Sequence, residues 1–219
     1  MMACEICSDL SSKEPAFWNE SLFESANFRV LPSLGALVEG WLLLLPKQHA
    51  ISMGALGDDL IAEMQHVKNL LVSTMERPYS SVCAFEHGPS RANSLVGCGV
   101  DHAHLHIVAL KFDLFSALQP FLPGDVLWSS ASFVECQAAH RRGDDYLYLE
   151  QPIGLGRLAS HREFGSQLFR RAIAAEIGLP DQFSWREHPQ LPNVSATIQQ
   201  ARKWAANLDP LDQFKRVAA

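Results

Sequence analysis

Residues 102–108 constrain the fold of this chain more than any other segment, because histidine and apolar residues alternate there. Successive strand residues point to opposite faces, so His102, His104 and His106 would share one face at separations of roughly 6–7 Å. In a helix, neighbouring members of this series would point about 200° apart. The intervening residues are small or apolar: Ala103, Leu105 and Ile107. The pattern predicts a strand with one histidine face and one face packed against a helix.

The rest of the chain predicts an α+β fold in which an antiparallel sheet packs against helices. Before the histidines, strands are expected within residues 28–33, 34–49 and 79–88, and a helix with regularly spaced apolar residues at 58–76. After them, we expect strands at 126–135 and 144–152, a helix at 166–178 and a last helix at 193–207. The helix at 166–178 is expected to be capped by Ser166 and stopped at Gly178. The residues beyond 210 have no assignment.

Composition narrows the class of partner. The net charge is −6 and no Lys/Arg-rich tract is present, so an extended nucleic-acid partner is not expected. The longest apolar run, Trp41–Pro46, is too short to cross a bilayer. Acidic and polar residues interrupt the amino terminus, unlike in a signal peptide. We therefore expect a cytoplasmic protein that has no membrane partner.

The first two of five cysteines, Cys4 and Cys7, have C-x-x-C spacing. In a reducing compartment such a pair is typical of metal binding or redox chemistry rather than of a structural disulfide. No βαβ pattern surrounds the pair, which disfavours the redox alternative. The pair could supply half of a zinc site, whose completion needs further ligands from elsewhere in the chain.

A row of imidazoles on one strand face has two chemical uses. The first is metal ligation, and the second is nucleophilic or proton-transfer work on a phosphate. In the second use, one ring attacks phosphorus while a neighbouring imidazolium stabilises the developing charge. Gly97 and Gly99, just before the row, allow the backbone to come close to a phosphate. The residue pattern by itself is compatible with both uses.

The sequence HAHLHIV at 102–108 resembles the motif of the histidine-triad family at every position. LLLLPKQHAIS, at 42–52, resembles the strand that carries a fourth histidine of that family, here His49. The resemblance implies an α+β catalytic domain over residues 1–112, nucleotide hydrolase or nucleotidyl transferase activity, and a homodimer. It also implies that His104 is the nucleophile, that His106 holds phosphate oxygens and that His102 orients the row. Residues 113–219 would form an extension of strands and helices packed on the same domain.

The loop before the triad departs from the simplest family members. The simplest family members often have Gln and then Ser or Thr in this loop, where this chain has Cys98 and Gly99. Their preceding strand ends with Asn or Gln, where this chain has FEHG at 85–88. These features are closer to the branch of galactose-1-phosphate uridylyltransferases and diadenosine-tetraphosphate phosphorylases. The uridylyltransferases have Gln in place of His106, and this difference favours hydrolysis.

Two sets of site residues are expected. The candidate nucleotide-binding residues are Glu86, Asn93, Gly97, Cys98, Gly99 and His106. The resemblance implies a structural Zn²⁺ held tetrahedrally by Cys4, Cys7, His49 and His102. The expected reaction is hydrolysis of a nucleoside phosphate derivative, such as a dinucleoside polyphosphate or a phosphoramidate, through a nucleotidyl-histidine intermediate. The alternatives are a nucleotidyl transferase or phosphorylase, and a nucleotide-binding protein without turnover.

The extension offers further candidates. Ser166 and Gln167 stand at a predicted helix start, where backbone N–H groups favour anions, and Arg170 and Arg171 follow one turn later. The two arginines either contact the substrate or form a solvated helix face. Trp185 fits either packing or base stacking. The sequence leaves these alternatives open.

Overall fold

The computed structural model describes residues 4–76, 79 and 81–205. The helices are α1 Glu5–Leu10, α2 Asp58–Met75, α3 Leu114–Leu118, α4 Phe133–Arg142, α5 Leu168–Glu176 and α6 Leu191–Ala205. The strands are β1 Phe23–Glu24, β2 Phe28–Pro32, β3 Trp41–Pro46, β4 Val82–Gly88, β5 Leu105–Ala109, β6 Ser129–Ser130, β7 Tyr146–Glu150 and β8 Gly156–Ser160. The predicted α+β class is confirmed. Within the described residues, no helix is both long and apolar enough to span a membrane.

The strands form one antiparallel sheet in the order β1-β2-β3-β5-β4-β7-β8-β6. β5 lies between β3 and β4, so His106 has Leu43 and Phe85 as its cross-strand neighbours. β7 continues the sheet beyond β4, followed by β8 and β6. The histidine strand and three strands of the second half of the chain therefore share one sheet.

The alternation along β5 separates two hydrophobic cores. Leu105 and Ile107 are buried in the core that contains the apolar face of α2, as the pattern predicts. His106 points to the opposite face, where its ring stacks on Phe85 at a centroid distance of 4.5 Å. Phe85 belongs to the second core, which includes residues of α5. The side chain of His106 therefore lies on the face covered by the extension.

The histidine strand is shorter than predicted, because β5 begins at Leu105 and two of the three histidines precede it. The β3–β5 register ends at the pair formed by Leu44 and Leu105. Pro46, two positions further along β3, has no N–H to continue the ladder. The amide of Ala103 instead donates a hydrogen bond to the carbonyl of Ala50, at 2.6 Å. The histidine row thus begins on a segment held by irregular contacts.

Segment 126–135 corrects a predicted strand. Only Ser129–Ser130 is extended there, and α4 begins at Phe133. Ser132 and Glu135 form a capping box, in which the Glu135 carboxylate accepts a hydrogen bond from the Ser132 amide at 2.6 Å. The capping signal therefore decides the local structure, whereas the preceding apolar residues suggested a strand.

Other parts of the prediction also differ from the structure. The sequence prediction has no counterpart for α1, β1, α3 and β8. α5 begins at Leu168, and the hydroxyl of Ser166 donates to the Gly97 carbonyl (2.8 Å) instead of capping the helix. α6 begins at Leu191, earlier than predicted. Its predicted end at 207, like the tail beyond 210, lies outside the described residues.

Candidate active site and metal centre

A cavity of about 120 Å³ lies on the face of the sheet that carries His104 and His106. Much of its wall is apolar and comes from Ile6, Trp18, Leu31, Leu43 and Leu45. Apolar protein cavities of about 150 Å³ take up one benzene ring. The cavity therefore combines two imidazoles with space suited to a flat aromatic group.

The hydrogen bonds of His104 determine which ring nitrogen carries its proton. Nδ1 lies 2.7 Å from the carbonyl oxygen of His102, and a carbonyl only accepts, so Nδ1 carries the hydrogen. Nε2 then keeps its lone pair. Burial lowers the pKa of this imidazole, which favours the neutral ring at neutral pH. Because His104 lines the cavity, it can present a neutral nucleophilic nitrogen there.

The hydrogen bonds of His106 select the opposite tautomer. The indole N–H of Trp41 donates to Nδ1 of His106 at 3.0 Å, so the proton of a neutral ring lies on Nε2. Burial lowers the pKa of His106 well below its ordinary value. The rings of His104 and His106 are 4.8 Å apart. A neutral N–H donor, instead of the expected imidazolium, therefore stands beside the nucleophilic nitrogen.

A second cluster on this face consists of His87, Cys98 and His106, whose potential ligand atoms lie within 4.8 Å of one another. Nε2 of His87 accepts from the Phe169 amide (3.3 Å), so Nδ1 carries the proton and lies 3.2 Å from Cys98 Sγ. Nε2 of His106, also protonated, lies 3.9 Å from the same sulfur. Burial raises the pKa of the Cys98 thiol to about 12. N–H groups converge on a thiol here, which disfavours a metal ion.

The predicted metal ligands Cys4, Cys7, His49 and His102 bring four donor atoms within 4.8 Å of one another. Nδ1 of His102 lies 3.6 Å and 3.4 Å from the two sulfurs, and Nδ1 of His49 lies 3.5 Å from Cys7 Sγ. Tetrahedral zinc would hold such S and N atoms roughly 3.5 Å apart. Nε2 of His102 donates to the Pro46 carbonyl at 2.9 Å, which leaves Nδ1 free of hydrogen, as ligation requires. The four residues can hold a metal ion, and their geometry suits zinc.

Side chains of the extension hold the loop at 97–99 by donating hydrogen bonds to the backbone carbonyls of the loop. These accept hydrogen bonds from Ser166 Oγ to Gly97 (2.8 Å), from Trp185 Nε1 to Cys98 (2.9 Å) and from Arg186 Nη2 to Gly99 (3.1 Å). Gly99 has a φ of +75°, in the left-handed region that favours glycine. Cys98 lines the cavity beside the histidines. The loop is therefore a fixed part of the wall, and Trp185 acts on it as a hydrogen-bond donor.

Glu86, a predicted nucleotide-binding residue, lies on the opposite face of the sheet from this cavity. Phe85 is the cross-strand partner of His106, so the next residue points to the opposite face of the sheet. The Glu86 carboxylate is buried there and accepts hydrogen bonds from the Met53 amide and the Tyr146 hydroxyl, both at 2.6 Å. These two hydrogen bonds connect the end of β4 to the segment at Met53 and to β7.

Asn93 is also placed apart from the predicted site. It is exposed and does not line the cavity. Its backbone amide donates to the Asp101 carboxylate at 3.0 Å. The residue therefore shapes the loop before the triad, and the structure gives its side chain no place in the cavity wall.

Substitution of Glu86 tests its burial through the pH dependence of stability. Burial raises its pKa from 4.5 to about 7. The stabilisation from this group is fully present below pH 4.5 and is lost as pH rises through 7. Relative to wild type, Glu86→Gln should therefore gain on the order of 2–3 kcal/mol of unfolding free energy between pH 5 and pH 8.5. Urea denaturation at both pH values measures this, and a pH-independent difference would contradict it.

No protein-family model and no curated protein matches the sequence. Among solved structures, a histidine triad protein from Clostridium difficile matches at 21% identity and a TM-score of 0.41, over 52% of this chain and 95% of its own. A hypothetical histidine triad nucleotide-binding protein from Sulfolobus tokodaii matches at 16% identity and a TM-score of 0.41, over 64% and 91%. A uridylyltransferase matches at 10% identity and a TM-score of 0.45, over 92% of each chain. The chain is similar to both groups that its motifs resemble. The proposed function depends on the geometry of the site.

Proposed function

We propose that this protein transfers a nucleotidyl group from a nucleoside phosphate derivative to water, through a covalent bond to Nε2 of His104. The observation that carries the proposal is the pair of opposite tautomers. His104 presents a lone pair and His106 presents an N–H group, with their rings 4.8 Å apart. Substitution at phosphorus needs both a nucleophile and a donor for the phosphate oxygens.

The first step forms a bond between His104 Nε2 and the α-phosphorus while the bond to the leaving group breaks with its electron pair. The Nε2–H group of His106 donates to a non-bridging phosphate oxygen and offsets the charge that develops there. The His102 carbonyl accepts from Nδ1 of His104 and stabilises the positive ring of the intermediate. Water then adds to phosphorus, the P–N bond breaks, and the nucleoside monophosphate and a proton are released.

The cavity supports a position for the base of the substrate. Its apolar wall, with Trp18, Leu31 and Leu43, suits a flat base, and the histidines line the same space. Cys98 brings the loop at 97–99 to the cavity wall, and we expect the backbone amides of this loop to bind the phosphate. These features support a position of the α-phosphorus beside His104, and the proposal assigns no role to Glu86.

We propose that a structural zinc ion is held by Cys4, Cys7, His49 and His102. The ion would cross-link the segments that carry these four residues. The chain itself does the positioning: Nε2 of His102 donates to the Pro46 carbonyl, and its own carbonyl accepts from His104. The metal site and the nucleophile thus share one residue. Fixing the His102 ring fixes the backbone that orients His104.

A substrate screen tests the proposed function. Purified protein is incubated with dinucleoside polyphosphates, nucleoside phosphoramidates and nucleotide sugars, and the products are identified by mass. The expected result is release of a nucleoside monophosphate that carries one oxygen from ¹⁸O-labelled water. Products that form only when phosphate or a sugar phosphate is added would support the transferase alternative. Nucleotide binding without turnover of any class would support the binding-protein alternative.

The covalent step has its own signature. A sample quenched at alkaline pH during turnover should contain chains heavier by one nucleotidyl group, because a phosphorus–nitrogen bond to histidine survives base better than acid. The His104→Ala variant should lack this species, and the matched His188→Ala variant should retain it. An adduct in His104→Ala would mean that a different residue is the nucleophile.

Trp41→Phe tests the tautomer of His106. Loss of the indole N–H should lower kcat by roughly 10- to 100-fold, less than the ~10⁴-fold effect of a catalytic histidine held in the wrong tautomer. KM should change little, and the ¹⁵N shifts of His106 should show a mixture of tautomers. Trp128→Phe is the matched control, since its indole N–H has no partner within the described residues. Unchanged kcat and ¹⁵N shifts in Trp41→Phe would contradict the positioning role.

A further inference from the structure

Arg170 of α5 is a buried arginine beside the catalytic histidines. Its exposed fraction is 1%, and it lines the same cavity as His104 and His106. Arginine is almost never fully buried unless it is paired. The sequence allows either a substrate contact or a solvated helix face for this residue, and its burial excludes the solvated face.

The protein partners of Arg170 hold it in place without neutralising it. Its Nε donates to the Phe183 carbonyl at 2.8 Å and its Nη2 to the Gly35 carbonyl at 2.5 Å. The guanidinium also stacks over Trp41, 5.0 Å from the ring centroid. Both acceptors are neutral carbonyls, and the remaining N–H groups of the fork stay available. Two carbonyls and an aromatic ring therefore orient a full positive charge.

No carboxylate forms an ion pair with Arg170 among the described residues. The two acidic residues of the cavity wall are engaged elsewhere: Glu5 with Arg186 at 3.0 Å, and Asp9 with Asn19 at 2.9 Å. Burial of a charge without a counter-charge is energetically unfavourable, because the charge loses its hydration. A cation kept in a ligand cavity under these conditions is suited to an anion that arrives with the ligand.

We infer that Arg170 binds the phosphate of the leaving group and makes the site selective for nucleotidyl groups attached to a second phosphate. This inference rests on the proposed function, in which His104 attacks the α-phosphorus. The α-phosphate already has the His106 N–H group and the loop at 97–99 as partners. The available N–H groups of Arg170 are a planar fork that matches the oxygens of one further phosphate.

The chemistry of the leaving group explains why a cation serves it. When the P–N bond to His104 forms, the bond between the α-phosphorus and the bridging oxygen breaks, and the electron pair stays on that oxygen. The departing phosphate is stable as an anion and needs charge stabilisation rather than a proton. An amine leaving group needs a proton instead, which a guanidinium does not supply. Arg170 thus distinguishes the two classes of leaving group.

The test compares two substrates of one nucleoside, a dinucleoside polyphosphate and a phosphoramidate. We expect Arg170→Gln to lower the ratio of their kcat/KM values by about 100-fold, in the range seen when one transition-state donor is removed. Arg170→Lys keeps the charge but loses the planar fork, so its ratio should lie between those of the wild type and Arg170→Gln. Arg171→Gln is the matched control and should keep the wild-type ratio, because Arg171 stacks on Phe183 and donates to the Ser166 carbonyl.

The ratio remains informative if Arg170→Gln folds poorly, because both substrates report on the same folded fraction. An equal loss on both substrates would overturn the inference and leave the proposed function intact. A wild-type protein inactive on both would overturn the proposed function instead. Binding of ADP and AMP to His104→Ala then decides the inference separately. A preference for ADP that Arg170→Gln removes would support it, and the absence of such a preference would overturn it.

Discussion

Replacement of His104 with alanine is expected to lower kcat/KM by at least about 10³-fold on every substrate that the wild type turns over. The variant loses the nitrogen that forms the covalent bond, and no second imidazole in the cavity is in the right tautomer to replace it. Nε2 of His106 carries a proton because Trp41 donates to its Nδ1. Removal of the covalent nucleophile costs about 10⁶-fold in a serine protease, and the residual activity reflects binding and electrostatics.

Stability separates this catalytic loss from unfolding. His104 lines a cavity but is a buried side chain, so its removal takes away one hydrogen bond to a carbonyl and the ring contact with His106. We expect the free energy of unfolding to fall by about 1–3 kcal/mol. His188→Ala should change neither activity nor stability. Activity above a tenth of wild type in folded His104→Ala would contradict the nucleophile assignment.

The face on which His106 lies follows from the sequence because it depends on strand periodicity, whereas His102 and His104 precede β5. Alternation places the apolar residues of β5 against α2 and His106 on the opposite face, and neither result requires knowledge of distant contacts. The same rule could not place Glu86. The orientation of the Glu86 side chain depends on which residue of β4 pairs with His106, and in the structure that residue is Phe85. A shift of one position in the register reverses the face.

Residues that contact the site but lie far from the histidines in the sequence cannot be recognised from a local sequence pattern. The donation from Trp41 to His106 depends on the β3–β5 register, and burial of Arg170 depends on how α5 packs against the sheet. The Ser132–Glu135 capping box differs, because its spacing is readable in the sequence and would have identified α4. Local patterns therefore indicate the candidate reactive groups, whereas tertiary packing determines the tautomers and charges around them.

Loss of the metal should have the second large effect, because α1 has little else to hold it. A helix of six residues is too short to be stable by itself. Its exposed ion pair between Glu5 and Arg186 contributes at most about 1 kcal/mol. We therefore expect about one Zn²⁺ per chain in purified protein. Cys7→Ser removes one ligand of this ion and should lower the free energy of unfolding by at least ~3 kcal/mol. For a protein of this size, that corresponds to a fall in Tm of about 6–12 °C.

The effect should reach the cavity as well as the terminus. Ile6 of α1 lines the cavity wall, and His102 connects the metal site to the carbonyl that orients His104. Cys7→Ser should therefore lower kcat/KM even at temperatures where the protein is folded, and chelation of wild type should do the same until zinc is restored. Ser8→Ala, at the next position of α1, is the control and should keep both metal and activity. A zinc-free wild type with unchanged Tm and kcat/KM would leave the four residues without a metal role, and His102 would then be positioned by the Pro46 carbonyl alone.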